Sequence, residues 1–443
     1  MGSCSLLGSQ EIVLLAGFAR DPRSVVTGGA GARIVGMRMS DLALVGGALV
    51  VVFAVGGLRL IFGVWVRPLE AEFGVDRATM GLLGALAFLV FGFGQPLFGR
   101  IVDMHGPRLV IPGSVLLAGV GTVLATLAPS FVLFALAYVL VACVGFAGLA
   151  NATLAATVVQ RFDRHHGLIF GVLSAGAPLG ELSLAQLAAV GVADAGWRGT
   201  MGAIGLALIV VVLPVAWVLI GRSPQPRRAE TPGLAATFGL AFRARGFVLL
   251  FCAYFICGVT TLGLVHTHLV PYGVDVGLTE IVAARVLGLL GLFNVLSLIL
   301  GGRIADRWGG RRPLIAVFVV RSVALLWMAT ATDALTLGLA VAVFGVTDMA
   351  TIPLSAAAAT EMFGARMLGV LMGVLVVAHQ IGSAVGAYVA GLGYEILGGY
   401  PPVIVAAVGA ALLGAVLCVA MDTRRIVAPG AMADGRVVAA SGA

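Results

Sequence analysis

The chain has 443 residues, 60% apolar and 11% charged, with a mean hydropathy of +1.10, proportions that exclude a soluble globule with a polar skin. Its formal net charge of +7 comes from arginines without a single lysine. They cluster in short loops, with no basic helix to lie along nucleic acid, so the charge reads as membrane topology.

The apolar runs far exceed the roughly ten residues of a barrel strand and do not alternate in polarity, so they are expected to span as helices. Residues 1–40 hold a short apolar piece, EIVLLAGFA, without signal-peptide order or a full span. They read as a disordered cytoplasmic tail, with Met37 and Met39 as candidate later starts. Span one, near 42–66, carries an arginine inside GGLRLIFGVW. Counting back from Arg67 at about 1.5 Å per residue puts Arg59 roughly 12 Å inside the hydrocarbon. An unanswered cation there costs on the order of 3 kcal/mol or more.

Further spans are predicted near 78–99, 109–128, 131–157, 167–192 and 199–221. The polar break GRSPQPRRAETPGLAATFGLAFRAR then ends the first six, and six more follow near 246–271, 281–301, 313–331, 334–358, 367–392 and 402–421. The expected fold is all-α and polytopic: twelve transmembrane helices in two pseudo-symmetric six-helix bundles, 41–221 and 246–421, joined by a linker at 222–245 and followed by a tail at 422–443. With a cytoplasmic N-terminus, arginines 100, 108, 161, 164, 222, 227, 228, 303, 307, 311, 312 and 366 fall in or beside cytoplasmic loops, and only Arg67, Arg77 and Arg198 lie outside. Both termini are therefore expected in the cytoplasm.

The halves repeat. GRIVDMHGPR at 99–108 returns as GRIADRWGGR at 302–311, placing Asp306 203 positions after Asp103, and RHHGLIFGV around Gly167 and Gly171 echoes RMLGVLMGV around Gly369 and Gly373. Such repeats point to a transporter whose site lies between the halves. In each motif a glycine (Gly99, Gly302) permits close helix approach. An aspartate one turn later is placed to meet helix N-termini or loop arginines, and a second glycine (Gly106, Gly309) makes the turn before Arg108 or Arg311.

These motifs resemble the G-x-x-x-D-x-x-G-x-R loop of the major facilitator superfamily of secondary transporters, a resemblance covering roughly residues 41 to 421. It implies two bundles rocking around a central site, with the motif as a gate. GVWVRPLEAEFG at 63–74, GWRG at 196–199 and AHQIGSAVGAY at 378–388 look like the bacterial branch of oxalate–formate and monocarboxylate transporters. That branch usually carries an arginine midway along span eight, where this chain has Asn294 and no arginine between Arg285 and Arg303.

Charges within the spans supply the candidate site. Glu181 stands at about the depth of Arg59, and contact between them is expected, either as a fixed pair or as a working switch in which a substrate carboxylate takes Arg59 and Glu181 takes a proton. Arg321 and Asp348 read first as a static pair, with Asp348 a second candidate for proton coupling. Arg285 is expected to snorkel. His266 and His268 point about 200° apart on a helix, so they cannot share a metal, and at most one faces the site; His268 is kept as a candidate. His379, Gln380 and Asn294 are candidate substrate hydrogen-bonders, with a cross-helix bond as the alternative for each. Five cysteines show neither disulfide pattern nor metal spacing.

The function expected is proton-coupled alternating-access transport of a small organic anion such as a carboxylate across the bacterial inner membrane. A proton-antiporting exporter is the first alternative, although AGAPLGEL only partly matches the G-P-x-x-G-G turn of that class. A membrane enzyme is disfavoured because G-x-S-x-G and H-E-x-x-H motifs are missing, and without a Walker motif an ion gradient is the expected energy source. The partners expected are a small-molecule substrate, protons and the bilayer. No nucleic acid, cofactor or metal is called for, and a monomer is expected.

Overall fold

The computed structural model describes residues 39–150, 153–154, 158, 166–220 and 234–424. All regular structure among them is helical. Eleven helices are long and apolar enough to cross a membrane. One of these, Ile169–Ile220, runs 52 residues and turns at Gly196, where φ 68° and ψ 167° break the helix. At 1.5 Å per residue 52 residues would extend about 78 Å, so this element crosses twice. Twelve spans result: Asp41–Leu60, Arg77–Val102, Pro107–Thr126, Phe131–Gly148, the two arms of Ile169–Ile220, Arg245–Asp275, Glu280–Trp308, Arg311–Ala329, Ala334–Phe363, Leu368–Leu397 and Tyr400–Ala420. They form the two pseudo-symmetric six-helix bundles of an all-α polytopic membrane protein. Residues up to Leu42 belong to a separate unit, of which only the first turn of a helix is described.

The sequence repeat is a structural repeat. Helices Arg77–His105 and Glu280–Trp308 are both 29 residues long, and they stop at Gly106 (φ 80°) and Gly309 (φ 71°), 203 positions apart like the motif aspartates. Arg311 donates to the carbonyls of Cys418 and Val419. The side chain of Asp103 lies outside the described residues, and Arg108 is exposed. Asp306 is also exposed and meets no helix N-terminus; Glu361 does so instead, accepting from Gly310 N at 2.9 Å just before helix Arg311–Ala329. A carboxylate from the neighbouring span reaches the helix start that the motif aspartate, pointing outward, leaves open.

Several spans depart from straight helix. Span one breaks at Ile61 (φ −90°, ψ 18°) after a wide π turn at Val52–Gly56, then continues as Phe62–Phe73, beyond the expected end at 66. Span four breaks after Gly148, and beyond the break the described residues Thr153, Leu154 and Val158 are again helical. Span seven carries a π turn at Val259–His266, and span ten is two helices, Ala334–Asp348 and Thr351–Phe363.

Glycines bring the halves together. A Cβ on Gly63 would stand 2.8 Å from the His266 carbonyl, one on Gly291 2.5 Å from that of Pro178, and one on Gly391 2.4 Å from that of Arg77. Without a hydrophobic drive between helices in lipid, such backbone approach is how spans associate. Arg77, expected in a loop, is in fact buried at the start of span two. It donates twice to Glu70 (2.5 and 3.0 Å) and once to Tyr400 Oη (2.7 Å), while its N–H reaches Glu395 at 3.0 Å. Glu72 likewise receives both Trp197 and Arg198, tying GVWVRPLEAEFG to GWRG. Of these contacts, those of Arg77 with Tyr400 and Glu395 join the halves at the Arg77 end, and the rest lie within the first half. Towards the Gly106 end, Gly99, Gly171, Gly302, Gly369 and Gly373 have nothing within 4 Å.

The two motif glycines of span eight should respond oppositely to alanine. Gly309, at φ 71° and ψ −167°, holds a conformation that is nearly glycine's alone, and an added Cβ would press on Glu361, so Gly309→Ala should cost about 1–3 kcal/mol and lower the melting temperature in detergent. Gly302→Ala, in open helix, should leave it unchanged or slightly raised.

Candidate functional site

The polar centre of the protein is built where helices are irregular. Gly57 of span one backs onto Gly180 and the Glu181 amide of span five, with room for no side chain between them. Gly63, after the break at Ile61, lies on the backbone of span seven where its π turn ends at His266. Three helices thereby converge, and span ten supplies a fourth group at its own break.

His266 is the hub. Its Nδ1 lies 2.8 Å from Glu181 Oε1 and its Nε2 2.9 Å from Asp348 Oδ2, with all three side chains at least 95% buried. The contact with Asp348 is an aligned hydrogen bond; that with Glu181 is close in distance but off-line. Asn294 donates to Glu181 Oε2 at 3.4 Å. Each nitrogen–oxygen contact requires one proton between its atoms. Two protons are thus shared by an imidazole and two carboxylates, as imidazolium with two anions or as neutral imidazole with one acid. Either way the triad carries one net negative charge.

The expected Arg59–Glu181 contact does not form. Gly57 faces span five, so Arg59, two residues on and about 200° round the helix, is directed to span two. There its guanidinium carbon lies 4.2 Å from the Phe91 ring centre, and Nη1 is buried without a hydrogen-bond partner. The Arg321–Asp348 pair is also corrected. Arg321 reaches the backbone carbonyls of Thr347 (2.8 Å) and Asp348 (3.5 Å), while the Asp348 carboxylate turns to His266.

His268 stands apart from the triad. Its Nε2 donates to the Ala387 carbonyl at 2.9 Å, and its Nδ1 accepts from Tyr400 Oη at 2.9 Å, so both nitrogens are occupied in the network of Arg77. His379 lies 3.3 Å from Thr261 Oγ1 and 3.4 Å from Ser383 Oγ, beside the Tyr254 ring. Gln380 packs against Gly92 of span two and leaves Oε1 unpartnered; Gln95, one turn along from Gly92, leaves Nε2 unpartnered. Sequence reasoning therefore found Glu181, Asp348 and Asn294 but missed the histidine joining them. At 3.6 residues per turn His268 falls on the face of Cys257 and Thr261. The π turn advances fewer degrees per residue and displaces every face after it.

Comparison with known proteins adds the following. The family model of the Major Facilitator Superfamily matches residues 47–387 and 274–436. The chain is 24% identical over 362 residues to an uncharacterized transporter of that type, YcxA from Bacillus subtilis, covering 79% of this chain and 88% of the relative. Monocarboxylate transporter 13 of Rattus norvegicus is 24% identical over 367 residues, covering 81% and 83%. Among solved structures, a D-xylose-proton symporter superposes with a TM-score of 0.70 at 15% identity, covering 90% of this chain and 99% of that one, a likeness of fold.

Double-mutant cycles on detergent stability test these pairings. Glu181→Gln with His266→Gln should show a coupling energy of about 0.5–3 kcal/mol, as for groups in contact. Arg59→Leu with Glu181→Gln should be additive to within about 0.5 kcal/mol. Equal coupling in the two cycles would show that Glu181 is shared by Arg59 as much as by His266.

Proposed function

The chain belongs to the Major Facilitator Superfamily, and from that premise we propose that this transporter moves a small organic anion, a carboxylate in the first instance, together with protons. The observation that carries the reading is His266 held between Glu181 and Asp348, since Glu181 belongs to the first half of the chain and the other two to the second. A proton added to Glu181 weakens an ionic contact between the halves, so proton binding and rocking become one event.

An anionic substrate is supported by Arg59. Its contact with Phe91 is worth about 0.5–2 kcal/mol, less than the roughly 3 kcal/mol or more that a cation deep in a membrane costs. The remainder is answered when a carboxylate takes the free Nη1. Asn294, Gln380 and His379 are the proposed hydrogen-bonders around it; His268 is not, since both its nitrogens are engaged. The relative named as a monocarboxylate transporter supports the same class.

On this reading the halves 41–221 and 246–421 rock as units in the bacterial cytoplasmic membrane, with both termini and the linker cytoplasmic. The repeated motif, with Asp103, Arg108, Asp306 and Arg311, belongs to the gate at the Gly106 end. The Arg77 end, joined across the halves by Gly391 and the Arg77 contacts, and the Gly106 end, where Gly99, Gly302, Gly369 and Gly373 meet nothing of the other half, fit an inward-facing state.

Transport in proteoliposomes tests the proposal, with the probe chosen among formate, lactate and benzoate by its effect on melting temperature. Arg59→Leu should abolish anion-dependent stabilisation. Glu181→Gln should keep exchange of the probe yet lose its uphill accumulation by a pH gradient. Should Arg59→Leu/Glu181→Leu still accumulate the probe against a gradient, neither residue serves transport.

A further inference from the structure

Arg321 is fully buried in span nine, and none of its hydrogen bonds goes to a carboxylate. Its guanidinium carbon sits 5.4 Å from the Phe318 ring centre and 5.5 Å from that of Phe344. Nη2 donates to the carbonyls of Thr347 and Asp348, Nη1 to Cys257 Sγ (3.1 Å) and Thr260 Oγ1 (3.4 Å), and Nε to Thr347 Oγ1 (3.5 Å). The two carbonyls close the helix Ala334–Asp348, where the chain breaks before Thr351 and the regular helical ladder is interrupted. A cation at a helix C-terminus meets both the unpaired oxygens and the negative end of the dipole. The far side of the break is fixed as well, by Ala350 N on Ser297 Oγ at 2.8 Å and by Thr351 Oγ1 on the Asp348 carbonyl at 2.8 Å.

We infer that Arg321 is a positioning residue for proton coupling: by holding the broken end of span ten it keeps Asp348 as a fixed anion aimed at His266 and leaves Glu181 as the carboxylate that gains and loses the proton. This rests on the proton-coupled reading above and makes the two carboxylates unequal. Their surroundings differ accordingly. Asp348 faces His266 from span seven and Arg321 from span nine, with Tyr254 of span seven and His379 of span eleven within electrostatic reach. Glu181 faces His266 and Asn294, with Asp348 beyond the imidazole and Arg59 of span one in reach but not in contact. A full positive charge therefore sits on the backbone of one carboxylate, while the other has only an imidazole that it must share.

Infrared difference spectroscopy of the purified full chain, titrated in detergent without substrate, reads the two carboxyls directly. Beside the bands of the exposed carboxyls, one C=O band of a buried carboxylic acid should titrate in the wild type, disappear in Glu181→Gln and persist in Asp348→Asn. Arg321→Gln, which removes the charge, should add a second band, that of Asp348. Arg321→Lys, which keeps it, should show one band. Loss of the band in Asp348→Asn with retention in Glu181→Gln overturns the inference, even if Arg321→Gln does not fold. So does a folded Arg321→Gln protein with the wild-type spectrum, because a merely structural arginine would lower yield without adding a band. If no buried carboxyl titrates in the wild type, the proton-coupled reading itself falls.

Discussion

An imidazole shared by two carboxylates, away from water, is the arrangement on which the centre of this protein depends. Hydrocarbon does not solvate charge, so each charge must be answered within the protein or neutralised. The Glu181–His266–Asp348 contacts need two protons among three groups, and the single negative charge left over is balanced by Arg321 nearby. Removing one member of such a set strands the others, a loss of about 3–5 kcal/mol for a buried pair. That magnitude is comparable to the few kcal/mol that separate alternative conformations of a transporter, so a single proton is sufficient to matter.

Bringing these groups together requires irregular helices, and irregular helices free backbone groups that lipid cannot satisfy. The chain answers them locally. In the π turn of span seven, Thr260 and Thr261 return their hydroxyls to the carbonyls of Ile256 and Cys257, and Thr267 reaches Leu262. At the break in span ten, Ser297, Thr351 and Arg321 divide the exposed amide and carbonyls among them. Glycines then let these segments come close: Gly258 and Gly263 receive the backbone of span eleven, and Gly382 and Gly386 receive that of span seven. Polar side chains and glycines are thus two halves of one solution. The first set permits bent helices; the second packs them.

Much of the fold could be read from the residues because the bilayer imposes its own rules. Apolar length fixes a crossing, and the turn glycines Gly106 and Gly309 are needed wherever a helix must end at positive φ. The 203-residue repeat shows in the helix boundaries themselves. The candidate site was legible in depth but not in direction. Glu181, Asp348 and Asn294 were placed correctly along their helices, yet Glu181 was matched to Arg59 because both lie at one level. Gly57 turns Arg59 toward Phe91 instead. At most one of His266 and His268 could face the site, and His268 was kept, whereas the π turn of span seven brings His266 to the centre. Arg77 was assigned to a loop because nothing in the local sequence signals that Glu70, Glu395 and Tyr400 converge on it.

The contacts between the halves are of two kinds, and the difference bears on how they could separate. At the Arg77 end the adhesion comes from glycine-mediated backbone packing and from the Arg77 network, where Glu70 and Tyr400 are held by a guanidinium charged at any physiological pH. At the centre the adhesion is ionic and shared through an imidazole, the one side chain whose ordinary chemistry admits a change of charge near neutrality. A proton can therefore act first at the centre, and the Arg77 end follows only if the halves turn as rigid units. Because packed interfaces are bistable and do not deform continuously, loss of the Glu181–His266 contact would shift the population of the whole arrangement and not merely loosen one residue.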